Sequence, residues 1–127
     1  MLKRIKVLLL DKFIYIAITI TIAIICLSLF KLPSNNIGIK NIDKVYHSTA
    51  YFSLALAWLI SFYKEKNTKI IIVFACIFFG IIIEVIQSKF TNHRTGDSLD
   101  IIANSVGVLL ALLFFNLVLK KKAYKLN

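Results

Sequence analysis

The sequence is poor in charge and in the residues that interrupt regular structure. Only 17% of its 127 residues are charged and 59% are hydrophobic, whereas an average soluble domain has about 25% charged residues. One proline and four glycines exclude a collagen-like or low-complexity chain, and the high apolar content excludes intrinsic disorder. A water-soluble domain this small would expose much of its apolar surface. The composition therefore indicates a protein embedded in a lipid bilayer.

Acidic residues are also scarce, which leaves a formal net charge of +10. Half of the 16 lysines and arginines lie before the first long apolar stretch or after the last one. The sequence has no basic helix face interleaved with aromatic residues, which a nucleic-acid groove would need. We therefore expect no nucleic-acid partner. The charge is better explained as a topology signal and as attraction to anionic lipid.

Four long apolar stretches predict four transmembrane helices, over residues 13–30, 45–63, 70–88 and 99–119. Each is close to the roughly 20 residues that cross a bilayer and far longer than a strand. Because lipid admits only helices or closed barrels, the predicted fold class is an all-α integral membrane bundle. We expect residues 1–127 to form a single transmembrane domain.

The distribution of basic residues predicts the orientation of this bundle. If the N-terminus is cytoplasmic, the inner segments 1–12, 64–69 and 120–127 contain 11 of the 16 lysines and arginines. Cytoplasmic loops carry the excess of basic residues in most membrane proteins. Both termini are therefore predicted to be cytoplasmic.

Under this topology, the polar side chains of the helices gather at the outer leaflet. They recur three or four residues apart, so members of each group share a helix face. Short connectors make the second, third and fourth helices neighbours, and we expect one polar pocket that opens to the outer surface. Its predicted ligand-binding residues are Asp43, Lys44, His47, Tyr51, Glu84, Gln87, Arg94, Asp100 and Asn104.

Glu84 is the most informative of these residues because a carboxylate within a bilayer is costly and usually faces the bundle interior with a partner. Its candidate partners are Lys44, His47 and Arg94, of which a bidentate pair with Arg94 would be the strongest. The alternative interpretation is a salt bridge that only sets the helix register. Asn104 is followed on the same face by Gly107, where a neighbouring backbone can approach closely, so its amide serves either packing or the pocket.

The sequence gives weaker signals for catalysis and for metal binding than for a polar pocket. Glu84 and His47 are the candidates for a catalytic base, but spacing alone establishes no pair of nucleophile and base. The sequence has no cysteine or paired-histidine spacing typical of zinc sites. We expect no metal and no cofactor, and whether the protein is an enzyme stays open.

The polar residues form three motifs that resemble the VanZ-like family, between about residues 40 and 115. The motifs are Asp43-Lys44-x-x-His47-x-x-x-Tyr51, Glu84-x-x-Gln87 and Arg94-x-Gly96-x-Ser98-x-Asp100-x-x-x-Asn104-x-x-Gly107. This family comprises small polytopic bacterial membrane proteins named after an accessory teicoplanin-resistance protein. The resemblance implies a multi-pass protein of the bacterial cytoplasmic (inner) membrane, related to the cell envelope or to the glycopeptide response. It implies no particular reaction.

Three functions fit these observations. The first is binding or processing of a cell-envelope amphiphile, such as a lipid-linked precursor, a polar headgroup or a glycopeptide-related ligand, with Lys44 and Arg94 holding phosphate or carboxylate. The second is a small subunit that translocates protons or ions. The third is a non-catalytic assembly or stabilising subunit whose polar cluster locks its own helices. The lipid bilayer is the expected partner in each, and the oligomeric state stays open.

Overall fold

A computed structural model describes residues 2–30, 42–65, 67–90, 98–119 and 121. Within these residues the chain is helical and contains no strand, which confirms the predicted all-α class. The helices are α1 (Leu2–Asp11), α2 (Phe13–Leu29), α3 (Ile42–Ser61), α4 (Thr68–Phe90) and α5 (Ser98–Phe114), and α5 continues as a π-helical turn (Phe115–Leu119).

Helical structure begins earlier than the sequence analysis predicted. The segment before residue 13, interpreted only as a basic leader to the first span, forms α1 and joins α2 through Lys12. Its residues are mainly leucine, lysine and arginine, which favour helices, and it has no glycine or proline. Together α1 and α2 form a helical segment of 28 residues, Leu2–Leu29.

Three of the described helical segments are long and apolar enough to cross a membrane, namely Leu2–Leu29, Thr68–Phe90 and Ser98–Leu119. The fourth predicted span, α3, is present with 20 residues, but it is more polar than these three. It begins at Ile42 instead of residue 45, so that Asp43 and Lys44 lie within the helix.

Helix α3 tolerates this polarity because it lies at the centre of the bundle. It contacts each of the other described helices and packs most extensively against α5. Its buried residues cover several faces of the helix, as expected for a segment surrounded by protein. They are Tyr51, Leu54, Ala55, Ala57, Leu59 and Ile60.

The close packing of α3 on α5 depends on small residues. A Cβ atom at Gly107 would overlap the backbone carbonyl of Ser48, and it would lie 3.0 Å from the backbone nitrogen of Phe52. Ala55 and Ala111, in the same core, are fully buried. This confirms that the face of α5 below Asn104 lets a neighbouring backbone approach.

A second apolar cluster closes the other end of the bundle, where α3 ends and α4 begins. It contains Leu59, Ile60, Tyr63 and Phe115. Lys64 lies beside this cluster and donates to Asp11 at 3.3 Å, which raises the pKa of Lys64 above its ordinary value. This contact joins the end of α1 to the segment that follows α3.

The substitution Gly107→Ala should destabilise the bundle, because the new methyl group meets a backbone carbonyl that cannot move without displacing α3. Overpacking of this kind costs about 1–3 kcal/mol. We expect a lower thermal unfolding midpoint for Gly107→Ala in detergent. Gly80→Ala is the matched control, since the nearest atoms there belong to the side chains of Tyr51 and Asn104, at 3.0 Å or more. An equal loss in both variants would contradict this account.

Candidate functional site

Polar residues meet at the end of the bundle where α3 and α5 begin and α4 ends. The first turn of α3 contains Asp43 and the first turn of α5 contains Asp100. Acidic residues are favoured there because the first backbone N–H groups of a helix have no partner within it and the helix dipole attracts negative charge. The two helix starts thus bring carboxylates to the same end.

Lys44 connects the two helices through these carboxylates. Its Nζ lies 2.7 Å from Asp100 Oδ1 and 2.9 Å from Asp43 Oδ2. The Asp100 side chain is 12% exposed, whereas that of Asp43 is 57% exposed. Since water screens exposed pairs, the bond to Asp100 is the stronger of the two.

His47 contacts the same helix one turn further along. Its Nδ1 lies 3.1 Å from Oδ1 of Asn104, and its Nε2 lies 3.7 Å from Oδ2 of Asp100. His47 thus bonds to Asn104 through Nδ1, while Nε2 is the ring nitrogen that faces the Asp100 carboxylate.

Glu84 is 4% exposed and therefore faces protein instead of lipid. The ring of Tyr51 packs over Gly80, one turn before Glu84 on α4, where a Cβ atom would lie 3.0 Å from Tyr51 Cε1. The Tyr51 hydroxyl is buried and has no hydrogen-bond partner among the described residues.

Gln87 connects α4 to α2, a helix that the sequence analysis did not include in the polar pocket. Its Nε2 donates to the backbone carbonyl of Ser28 at 2.9 Å, and this bond is buried. The signal for this contact was Ser28 itself, a polar residue one position before the end of a mainly apolar helix.

The structure therefore places most of the predicted site residues near one another, towards the end of the bundle where α3 and α5 begin and α4 ends. Asp43, Lys44, His47, Asp100 and Asn104 form one connected group, which we call the polar cluster. Tyr51 and Glu84 lie deeper along α3 and α4. Arg94 lies outside the described residues, so its expected pairing with Glu84 stays a prediction.

The expected role of Lys44, to hold a ligand phosphate or carboxylate, stays a prediction. In the structure its ammonium contacts two carboxylates of the protein itself. Within the described ranges, no three side chains of histidine, cysteine, aspartate or glutamate are grouped so that they could hold a metal ion.

The fold and these contacts define a class of protein, a small multi-helix membrane protein with buried polar residues shared among its helices. The chain belongs to the VanZ/LLP1 family, whose profile matches residues 13–119. It is similar to an uncharacterized protein of the yeast Schizosaccharomyces pombe, with 34% identity over 114 residues that cover 88% of this chain and 68% of the yeast protein. No solved structure matches the chain.

The family match confirms the resemblance drawn from the polar motifs and extends it to α2. The similar protein comes from a yeast, so family membership does not by itself place this chain in a bacterial membrane. The family and the apolar helices establish a membrane protein. The cytoplasmic membrane of a bacterium stays a prediction.

The substitution Lys44→Met should destabilise the protein by about 3 kcal/mol, because it leaves the buried carboxylate of Asp100 without its ammonium partner. Asp43→Asn is the control, since it alters the exposed contact of the same ammonium and should cost less than about 1 kcal/mol. Adding Asp100→Leu to Lys44→Met should recover most of the loss. Thermal unfolding in detergent measures all three variants, and a loss in Asp43→Asn as large as in Lys44→Met would refute the assignment.

Proposed function

We propose that the polar cluster, with Glu84 beneath it, binds the polar headgroup of a membrane amphiphile. The observation that carries the proposal is the burial of several polar side chains at one end of an otherwise apolar bundle. Glu84, Gln87, Asp100 and Asn104 are all less than 10% exposed. Because ionisable and polar groups inside a membrane are costly, they commonly mark a functional site.

The cluster is accessible at its edge, which supports binding in addition to packing. The side chains of Lys44 and His47 are 20% and 18% exposed, so a headgroup at the membrane surface is able to reach them. Under the predicted topology, this edge faces the outer leaflet, where the headgroup of an envelope amphiphile would lie.

The chemistry of the cluster favours a ligand that donates hydrogen bonds. Carboxylates accept hydrogen bonds, and the cluster contains the carboxylates of Asp43 and Asp100. The ammonium of Lys44 is already shared between Asp43 and Asp100. Hydroxyl or amino groups of a headgroup therefore suit the cluster better than a bare phosphate does. Arg94 stays the predicted contact for an anionic part of the same ligand.

If the bound amphiphile is also processed, His47 is the better of the two candidates for the catalytic base. Asn104 orients its ring, and the His47 side chain is 18% exposed. Glu84 is 4% exposed, so it suits recognition of a group that has already entered the bundle. A general base needs to lie within hydrogen-bond reach of the proton that it removes.

The substitution Glu84→Gln tests the proposal because it removes a charge and keeps the shape of the side chain. The purified protein is incubated with a long-chain amine, a monoacylglycerol and a fatty acid of equal chain length, and retention is measured by native mass spectrometry. We expect the wild type to retain the amine and the monoacylglycerol above the fatty acid. Glu84→Gln should reduce retention of the amine about tenfold, since hydrogen bonds to charged groups contribute about 1.5–3 kcal/mol.

Glu65→Gln provides the matched control. Glu65 is exposed and follows the end of α3, at the opposite end of the bundle from the polar cluster. Its substitution should leave retention of all three probes unchanged. Equal retention of the amine by the wild type and Glu84→Gln would contradict the proposal.

A second function, a stabilising subunit without a ligand, is favoured by the bonds from Lys44 to Asp100 and from His47 to Asn104, which join α3 to α5. The two functions differ in what substitution changes. If the cluster only locks the helices, His47→Gln should lower the amount of folded protein in the membrane and leave retention per folded molecule unchanged. If the cluster binds a ligand, His47→Gln should lower retention of the amine per folded molecule, whatever its effect on the amount of folded protein.

A further inference from the structure

Helix α1 has an apolar face that no part of the described structure covers. Four apolar residues fall within an arc of about 120° on this helix, at about 100° per residue. They are Leu2, Ile5, Leu8 and Leu9, and each is 47–75% exposed. Leu10, on another side of the helix, is half-buried and packs against the apolar cluster at the end of α3. The apolar face of α1 therefore points away from the bundle.

Basic residues border this apolar face. Arg4 and Lys6 lie at its two edges and Lys3 lies on the opposite side of the helix, and all three are exposed. The one acidic residue of α1 is Asp11, whose carboxylate already contacts the ammonium of Lys64 at 3.3 Å. Helix α1 thus presents three positive charges beside an exposed apolar face. This combination is typical of helices that lie in the interface of a membrane.

The end of α1 marks the level at which the packed bundle ends. Leu10 packs against the cluster where α3 ends and α4 begins, and Asp11 meets Lys64 just after α3. Among the described helices, α1 contacts only α2 and α3. Every side chain that the structure describes between residues 2 and 9 is exposed. These residues therefore lie outside the packed bundle.

The helical segment that α1 and α2 form is longer than the hydrocarbon core of a bilayer. Its 28 residues correspond to about 42 Å at 1.5 Å per residue, whereas the core is about 30 Å thick. At the junction, the N–H of Lys12 donates to the carbonyl of Leu9 at 3.2 Å, and the N–H of Tyr15 donates to the carbonyl of Lys12 at 3.1 Å. Bonds with this three-residue spacing inside a helix often mark a hinge. The basic α1 is thus the part of the segment that exceeds the core.

We propose that α1 lies along the membrane surface and binds the headgroups of anionic lipids. Its apolar face enters the boundary between headgroups and acyl chains to a depth of about 5–10 Å, and its basic residues contact the lipid phosphates. The charge of the helix selects this occupant, since an anionic leaflet favours each lysine or arginine near its surface by about fivefold. Under the predicted topology this leaflet is the cytoplasmic one. The polar cluster lies at the opposite end of the bundle, so this inference does not rest on the proposed function.

Nitroxide labels on the full chain in vesicles containing phosphatidylglycerol test the position of α1. Single cysteines replace Ile5, Lys6 or Leu9 in a Cys26→Ala background, because Cys26 is exposed and Cys76 is buried. We expect the labels at positions 5 and 9 to be at least threefold less accessible to a neutral, water-soluble nickel chelate than the label at position 6. Equal accessibility at all three positions would place α1 in water, and protection of all three would place it inside the bilayer. Either result would overturn the proposal.

The double substitution Lys3→Gln and Lys6→Gln tests the role of charge, with the label at position 5. It should lower the ratio of surface-bound to released α1 roughly twentyfold, at about fivefold for each lysine. This ratio is measured from the two components of the label's spectrum. Lys89→Gln with Lys121→Gln is the matched control, since it removes the same charge from two exposed residues outside α1 and should leave the ratio unchanged. Vesicles of phosphatidylcholine alone should release α1 of the unsubstituted chain. Equal binding of α1 to both kinds of vesicle would refute recognition of anionic lipid.

A second copy of the chain is the other occupant that the apolar face would suit. Dipolar broadening between labels at position 5 of two chains, at high dilution of protein in lipid, would show such a dimer and overturn the proposal. Thermal unfolding verifies that each variant is folded, and we expect no change because the substituted residues of α1 are exposed. Failure of this proposal leaves the headgroup site untouched, since Glu84→Gln reports on a ligand at the other end of the bundle.

Discussion

The packing of α3 against α5 is the contact on which the rest of the bundle depends. At Gly107 the two backbones are so close that a Cβ atom would not fit, and one end of the interface is joined by the bond from Lys44 to Asp100. Because lipid cannot satisfy charged groups, a helix with these residues needs protein on several sides. The central position of α3 provides this protection, and α2 and α4 complete it.

In this arrangement the same polar side chains join the helices and line the proposed ligand site. Lys44 and His47 join α3 to α5, and their side chains are also partly exposed. Replacing a buried ion pair by apolar residues of similar volume is often neutral or stabilising. Stability alone therefore explains poorly why a chain with so few acidic residues buries Glu84 and Asp100. The headgroup recognition that we propose would account for their presence.

Local spacing predicted the parts of the site that lie on one helix. The four-residue spacing of Asp100 and Asn104 places both on the face of α5 that meets α3, and both contact this helix. The position of Gly107 on the same face predicted the close approach. Hydropathy placed the start of α3 at residue 45 instead of Ile42, since hydropathy cannot tell a polar helix start from a loop.

Hydropathy and residue spacing were enough to predict the membrane class, the approximate bounds of the four long helices and the polar face of each helix, and the polar motifs indicated the family. Hydropathy and the 3.6-residue period depend on near neighbours along the chain. The bond from Lys44 to Asp100, the contact of Gln87 with α2 and the central place of α3 became known from the packing of the helices. These contacts join residues more than 50 positions apart. They depend on how each helix is rotated and which neighbour it meets, and close packing of small residues on distant helices sets both.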